Sequence, residues 1–145
     1  MNDDAKRSAA SRVTESWQRI DSLYNHYGKS IGIGFTAMLV LECVNSPEEV
    51  FTQKGICEKF GLPKQAVNSI INSFREQGYL ELKEARDRRN KELFLTESGK
   101  AYAQEILGHF DLMNAEAWKC FTTEETIVFA ELVEKYEKSF ESVIK

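Results

Sequence analysis

The sequence predicts a mostly α-helical chain with a two-stranded β-hairpin past its middle. Three observations lead there. The 145 residues include two prolines, so long stretches run without a helix breaker. Apolar residues recur at spacings of three and four along much of the length, the period of a helix with one buried face. Two short runs, YLELK (79–83) and ELFLT (92–96), instead alternate apolar and polar residues, the period of a half-buried strand.

The elements follow in chain order. Residues 5–28 place Val13, Trp17, Ile20, Tyr24 and Tyr27 on one helical stripe. Glycines at 28, 32 and 34 loosen what comes next. Residues 35–44 are apolar enough for a buried helix, which ends near Asn45-Ser46-Pro47. Thr52 offers an N-cap for a short helix over residues 53–60, and Gly61 offers its stop. Pro63 suits the first turn of the next helix, 63–77, which Gly78 ends. Val67, Ile70, Ile71 and Phe74 give that helix its buried stripe. Two short helices joined by Phe-Gly-Leu are a helix-turn-helix signature. The hairpin comes directly after, with Leu80 and Leu82 on one side of its first strand and Leu93 and Leu95 on one side of its second. Residues 84–91 form its charged tip. A helix-turn-helix followed by such a hairpin is a winged helix.

A long helix, 97–118, carries Ile106, Phe110, Met113 and Ala117 at spacings of 4, 3 and 4. Thr122 or Thr123 with Glu125 marks the start of a last helix, where Phe129, Val133, Tyr136, Phe140 and Val143 repeat. The two end helices thus bear aromatic-rich stripes that a winged-helix core does not need. Two such helices pack together and against a second copy. Val13, Trp17, Ile20 and Tyr24, with Phe129, Val133, Tyr136 and Phe140, are the expected dimerisation residues. The fold class is mostly α: a winged helix-turn-helix with a two-stranded β-wing, flanked by N- and C-terminal dimerisation helices. Residues 1–145 are expected to form one domain, with 30–100 as the winged-helix lobe and 5–28 and 101–145 as the dimerisation helices.

Composition narrows the function. No apolar run approaches the ~20 residues of a membrane span, and the N-terminus MNDDAKRSAA lacks the apolar stretch of a secretory signal. The three cysteines, Cys43, Cys57 and Cys120, are widely spaced and odd in number, which fits a reducing cytoplasm. The net charge of −4 hides a split. Residues 50–100 hold ten Lys/Arg against seven Asp/Glu, a net of +3, while the remainder carries −7. A basic middle between acidic ends points to a polyanionic partner. Gly28-Lys29-Ser30 has Leu23 where a phosphate-binding loop needs a glycine, and no strand precedes it. His26 and His109 have no evident catalytic partner. Neither an enzyme, a metal nor a cofactor is expected.

The candidate site residues lie in the basic middle. Lys64, Gln65, Asn68, Ser69 and Asn72 lie opposite the buried stripe of helix 63–77, as base-reading side chains must. Asn and Gln can bond adenine through two contacts, and Lys can reach guanine or phosphate. Thr52 and Gln53 begin the preceding helix, where free N–H groups and a hydroxyl suit a phosphate. Arg86, Arg88 and Arg89 at the wing tip offer forked donors for phosphate or a narrow minor groove.

The order of elements resembles the MarR family of bacterial transcriptional regulators over nearly the whole chain. The resemblance rests on Asp87-x-Arg89 with Leu95-Thr96 and Gly99 in the wing, and on TQKGICEKFGLPKQAVNSIINSFREQGYL, residues 52–80. Gly55 departs from the family pattern, and the wing before Asp87 is about one residue short and lacks a proline. The resemblance implies that Asp87 pairs with an arginine and shapes the wing, while Arg89 enters the minor groove. It implies a ligand-responsive repressor that binds a pseudo-palindromic site on double-stranded DNA as a homodimer. It also implies a small aromatic or anionic effector between the dimerisation helices and the lobe, where Trp17, Tyr24, Tyr27, Phe35 and Phe110 could line the cavity. Two alternatives stand beside it: a winged-helix module that binds protein, and a redox-sensing regulator using one of the three cysteines.

Overall fold

The computed structural model of the chain describes residues 3–84 and 89–145. Arg86, Asp87 and Arg88 of the expected wing tip lie outside the described residues. The described chain runs α1 (Asp3–Ser30), α2 (Phe35–Val44), α3 (Gln53–Phe60), α4 (Lys64–Glu76), β1 (Leu80–Glu84), β2 (Lys91–Leu95), α5 (Glu97–Trp118) and α6 (Thr123–Ile144). It divides into two compact units, residues 1–107 and 108–145, with the boundary inside α5.

The first unit is a winged helix. Its core takes Val40 and Leu41 from α2, Ile56 from α3, Val67 and Ile71 from α4, and Leu80 and Leu93 from the hairpin. Val40, Leu41, Ile56 and Val67 are completely buried, each contributing roughly 1.5–3 kcal/mol. No polar side chain is buried among the described residues. β1 and β2 pair antiparallel with Leu80 opposite Leu95 and Leu82 opposite Leu93. Residues 51 and 52 add a short third edge: Leu93 N–H donates to Phe51 O (2.9 Å), and Thr52 bridges Glu92.

The helix ends have local causes. Thr52 caps α3, its Oγ1 accepting from Gly55 N–H at 3.1 Å. Gly61 closes α3 in the left-handed region, φ 63°, where a side chain would be strained. Pro63 sits one residue earlier than expected. It is the N-cap of α4, its ψ of 137° is extended, and its carbonyl accepts from Val67 N–H at 3.2 Å. The N-terminal helix runs past Gly28 to Ser30. Gly28 is buried because the chain doubles back on it: Ile33 N–H donates to Gly28 O at 2.8 Å, and α1 and α2 meet at a 76° bend. The Gly-Lys-Ser run is thus a helix end.

The wing leads into α5 through one hydroxyl. Thr96 Oγ1 donates to Gly78 O (2.6 Å) and accepts from Gly99 N–H (3.0 Å). Ser98 Oγ donates to the same carbonyl at 3.0 Å. A Cβ on Gly99 would lie 2.0 Å from Tyr79 O, so only glycine lets the first turn of α5 approach the start of β1 this closely. Leu-Thr-x-x-Gly is therefore a junction between α4, the hairpin and α5.

The second unit joins the end of α5 to α6. Trp118, Phe121 and Phe129 cluster at the turn, with ring centroids 5.1 to 6.4 Å apart. A capping box starts α6. Thr122 Oγ1 accepts from Glu125 N–H (3.1 Å), and Glu125 Oε1 accepts from Thr122 N–H (3.0 Å). No single helix among the described residues is long and apolar enough to cross a membrane.

Candidate nucleic-acid interface

α4 separates its residues by face. Val67, Ile71 and Phe74 are buried, and Ile70 is half-buried. Lys64, Gln65, Asn68, Ser69 and Asn72 are all exposed. The 3.6-residue period accounts for this division, since apolar residues recur on one side of the helix.

Between α3, the start of α4 and the hairpin runs a groove of about 500 Å³. Gln53, Lys54, Cys57, Glu58 and Lys64 line its helical side, and Leu82, Arg89, Asn90, Lys91 and Leu93 its hairpin side. Four cations face one carboxylate there. Lys54 approaches Glu58 at 3.9 Å, but both are well exposed, and such a pair contributes only a few tenths of a kcal/mol. Lys54 thus remains able to meet an anion.

Thr52, Gln53, Lys64 and Arg89 all lie on this side of the lobe. Thr52 is half-buried as the α3 cap, and its hydroxyl proton stays available to a phosphate oxygen. Gln53 does something the sequence did not reveal. Its Nε2 donates to Lys64 O at 3.3 Å, tying the start of α3 to the start of α4. The partners are eleven residues apart, so only the folded turn makes this contact visible. Lys54 and Lys91 also line the groove. They lie in the capped first turn of α3 and at the start of β2.

The other candidates lie elsewhere. Val13, Trp17 and Ile20 on α1 are 42–50% exposed, and Phe129, Tyr136 and Phe140 on α6 are 46–52% exposed. Tyr24 and Val133 are half-buried. Tyr24 lies against Phe35 with ring centroids 4.8 Å apart, which joins α1 to α2. Tyr27 is half-buried nearby in sequence, and Phe110 is a buried residue of the second unit. Cys43 is buried in α2, and that burial pushes its thiol pKa up. Cys57 is half-buried, and Cys120 is exposed with its thiol directed at Ala117 O (3.6 Å). Among the described residues no group of three His, Cys, Asp or Glu could hold a metal ion.

A helix-turn-helix with an exposed polar second helix, a cationic groove beside it and a β-wing defines a winged-helix DNA-binding class. A profile of the MarR family matches residues 31–90. A MarR family regulator from Neisseria meningitidis is 31% identical, with 91% of this chain and 96% of that one covered and a TM-score of 0.69. The chain belongs to the MarR family, whose members are transcriptional regulators rather than enzymes. A putatively assigned MarR family regulator from Listeria monocytogenes, solved complexed with 26mer DNA, shares the fold at 19% identity. It covers 90% of this chain and 87% of its own, with a TM-score of 0.72. A Bordetella bronchiseptica protein whose DNA binding is regulated by 6-hydroxynicotinic acid also shares the fold. It does so at 13% identity, covering 90% and 98%, with a TM-score of 0.72. No curated protein matches the chain.

Proposed function

We propose that the chain acts as a homodimer that binds a pseudo-palindromic operator on double-stranded DNA and represses transcription until an effector releases it. In this reading 1–145 is one regulator, with 30–100 as the DNA-binding lobe and 5–28 and 101–145 as the dimerisation helices. The observation that carries it is the exposed polar face of α4 beside the groove bearing Lys54, Lys64, Arg89 and Lys91. Lys64, Gln65, Asn68, Ser69 and Asn72 read base edges in the major groove. Thr52 and Lys54 hold phosphates. Gln53 keeps α4 at its angle, and Arg89 reaches the minor groove. The related Listeria structure with DNA supports this use of the fold.

Exposed apolar residues on α1 and α6 support the dimer, since a single copy leaves Val13, Ile20, Leu132 and Phe140 in water. Two-fold symmetry then sets two α4 helices about one turn of DNA apart, roughly 34 Å. In this reading a small aromatic or anionic effector binds near the aromatic side chains Tyr24 and Phe35 of α1 and α2, and the compound that regulates the Bordetella relative is of that class.

Selection from a random double-stranded DNA library tests the reading, run on the wild type and on Arg89→Ala. The wild type should enrich an inverted repeat, with binding that weakens steeply as salt rises. Arg89→Ala should bind all sequences less well. If neither protein enriches DNA even at low salt, the reading fails and a protein-binding winged helix replaces it.

A further inference from the structure

We infer that each half-site contains a short core of A·T pairs, read by the side-chain amides of Gln65, Asn68 and Asn72. This rests on the function proposed above and adds what the operator must contain. These three residues are exposed and have no side-chain hydrogen bond to any other described residue. Nearby amides behave otherwise. Gln53 donates to Lys64 O, and Gln77 donates to both Ser73 O and Ser73 Oγ at 3.1 Å. The fold ties down Gln53 and Gln77 near the two ends of α4 and leaves Gln65, Asn68 and Asn72 open.

An open carboxamide presents a donor and an acceptor side by side in one plane. Adenine presents their complement on its major-groove edge, the N7 acceptor beside the N6 amino donor. Guanine presents two acceptors there and calls for Arg or Lys. From residue 64 to 74 the helix has no Arg and one Lys, Lys64 at its start. Glu and Asp, which would accept from cytosine, are also absent from that stretch.

The spacing sets the size of the core. Steps of three and four residues from 65 to 68 to 72 keep the amides on one face. At ~1.5 Å rise per residue the row spans roughly 10 Å, about three base-pair steps of ~3.4 Å. Adenine should therefore be required at up to three neighbouring positions in each half-site, with any guanine confined to the Lys64 end. Each amide should favour its adenine by roughly five- to a hundred-fold over other bases.

The test is the same library selection with Asn68→Arg beside the wild type. The expected wild-type consensus is an inverted repeat with an A·T core. Asn68→Arg should exchange A·T for G·C at one symmetry-related pair of positions and leave the others unchanged. Asn68 is exposed, so the variant should melt with the wild type. An inverted repeat with a G·C core overturns the inference while leaving the proposed function standing. An Asn68→Arg consensus identical to the wild type's also overturns it. Should the variant enrich nothing, the wild-type core decides alone. Failure of the wild type to enrich any inverted repeat overturns both.

Discussion

Gly99 and Thr96 show how much structure one position can hold. A Cβ at Gly99 would meet backbone, Tyr79 O at 2.0 Å and Tyr79 C at 2.8 Å, and backbone cannot swing aside as a side chain can. Gly99→Ala should therefore cost on the order of 3 kcal/mol, the upper end for overpacking. A thermal melt should show a Tm lower by roughly 10 °C, and a loss under 1 kcal/mol would mean that α5 stands farther from β1. Residue-level roles were unevenly legible in the sequence. The polar face of α4 could be read because period alone separates Asn68 and Asn72 from Val67 and Ile71. The Gln53–Lys64 contact could not, since it depends on how the turn at Gly61 folds. Gly99 was legible as part of a pattern, but its cause is a contact with a residue twenty positions earlier.

At the scale of the element, local signals carried most of the boundaries. α2, α3 and α5 begin and end at the residues that capping and periodicity predict. The departures are small and have physical reasons. Pro63 holds an extended ψ and so stays outside α4, and α1 continues to Ser30 because Gly28 fits beneath Ile33 O. Gly55 is the weak point of α3. Its Cβ position is 3.4 Å from Thr52 Oγ1 and 3.7 Å from Phe51, ordinary contact distances. Gly55→Ala should thus stabilise the protein by about 0.5 kcal/mol, because alanine loses less backbone entropy in a helix. A Tm higher by about 2 °C would agree, and a lower one would show that the cap at Thr52 is disturbed. Glycine and alanine differ in sign here and at position 99 because one Cβ meets side chains and the other meets backbone.

At the scale of the whole molecule, the surface left uncovered matters most. Phe129, Tyr136, Phe140 and Val143 share one face of α6 and are 46–78% exposed. The proposed dimer would bury that face against a second copy, and Phe140→Asp tests it. Light scattering should give twice the chain mass for the wild type and the single-chain mass for the variant, with helical content unchanged. DNA affinity should fall at least tenfold, since one α4 then acts without its partner. An unaltered dimer would move the interface off α6. The junction at Thr96 bears on what a signal could do to such a dimer. Gly78, Thr96, Ser98 and Gly99 join α4, the wing and α5 at one point. In the proposed regulator these bonds would hold each α4 to its own wing and α5, so that what one copy reads would stay the same in every state. A signal acting on the proposed dimer would then change only the reading frame. At ~3.4 Å per base-pair step, a displacement of a few ångströms would put the second copy one letter out of phase, and a correct operator would become unreadable.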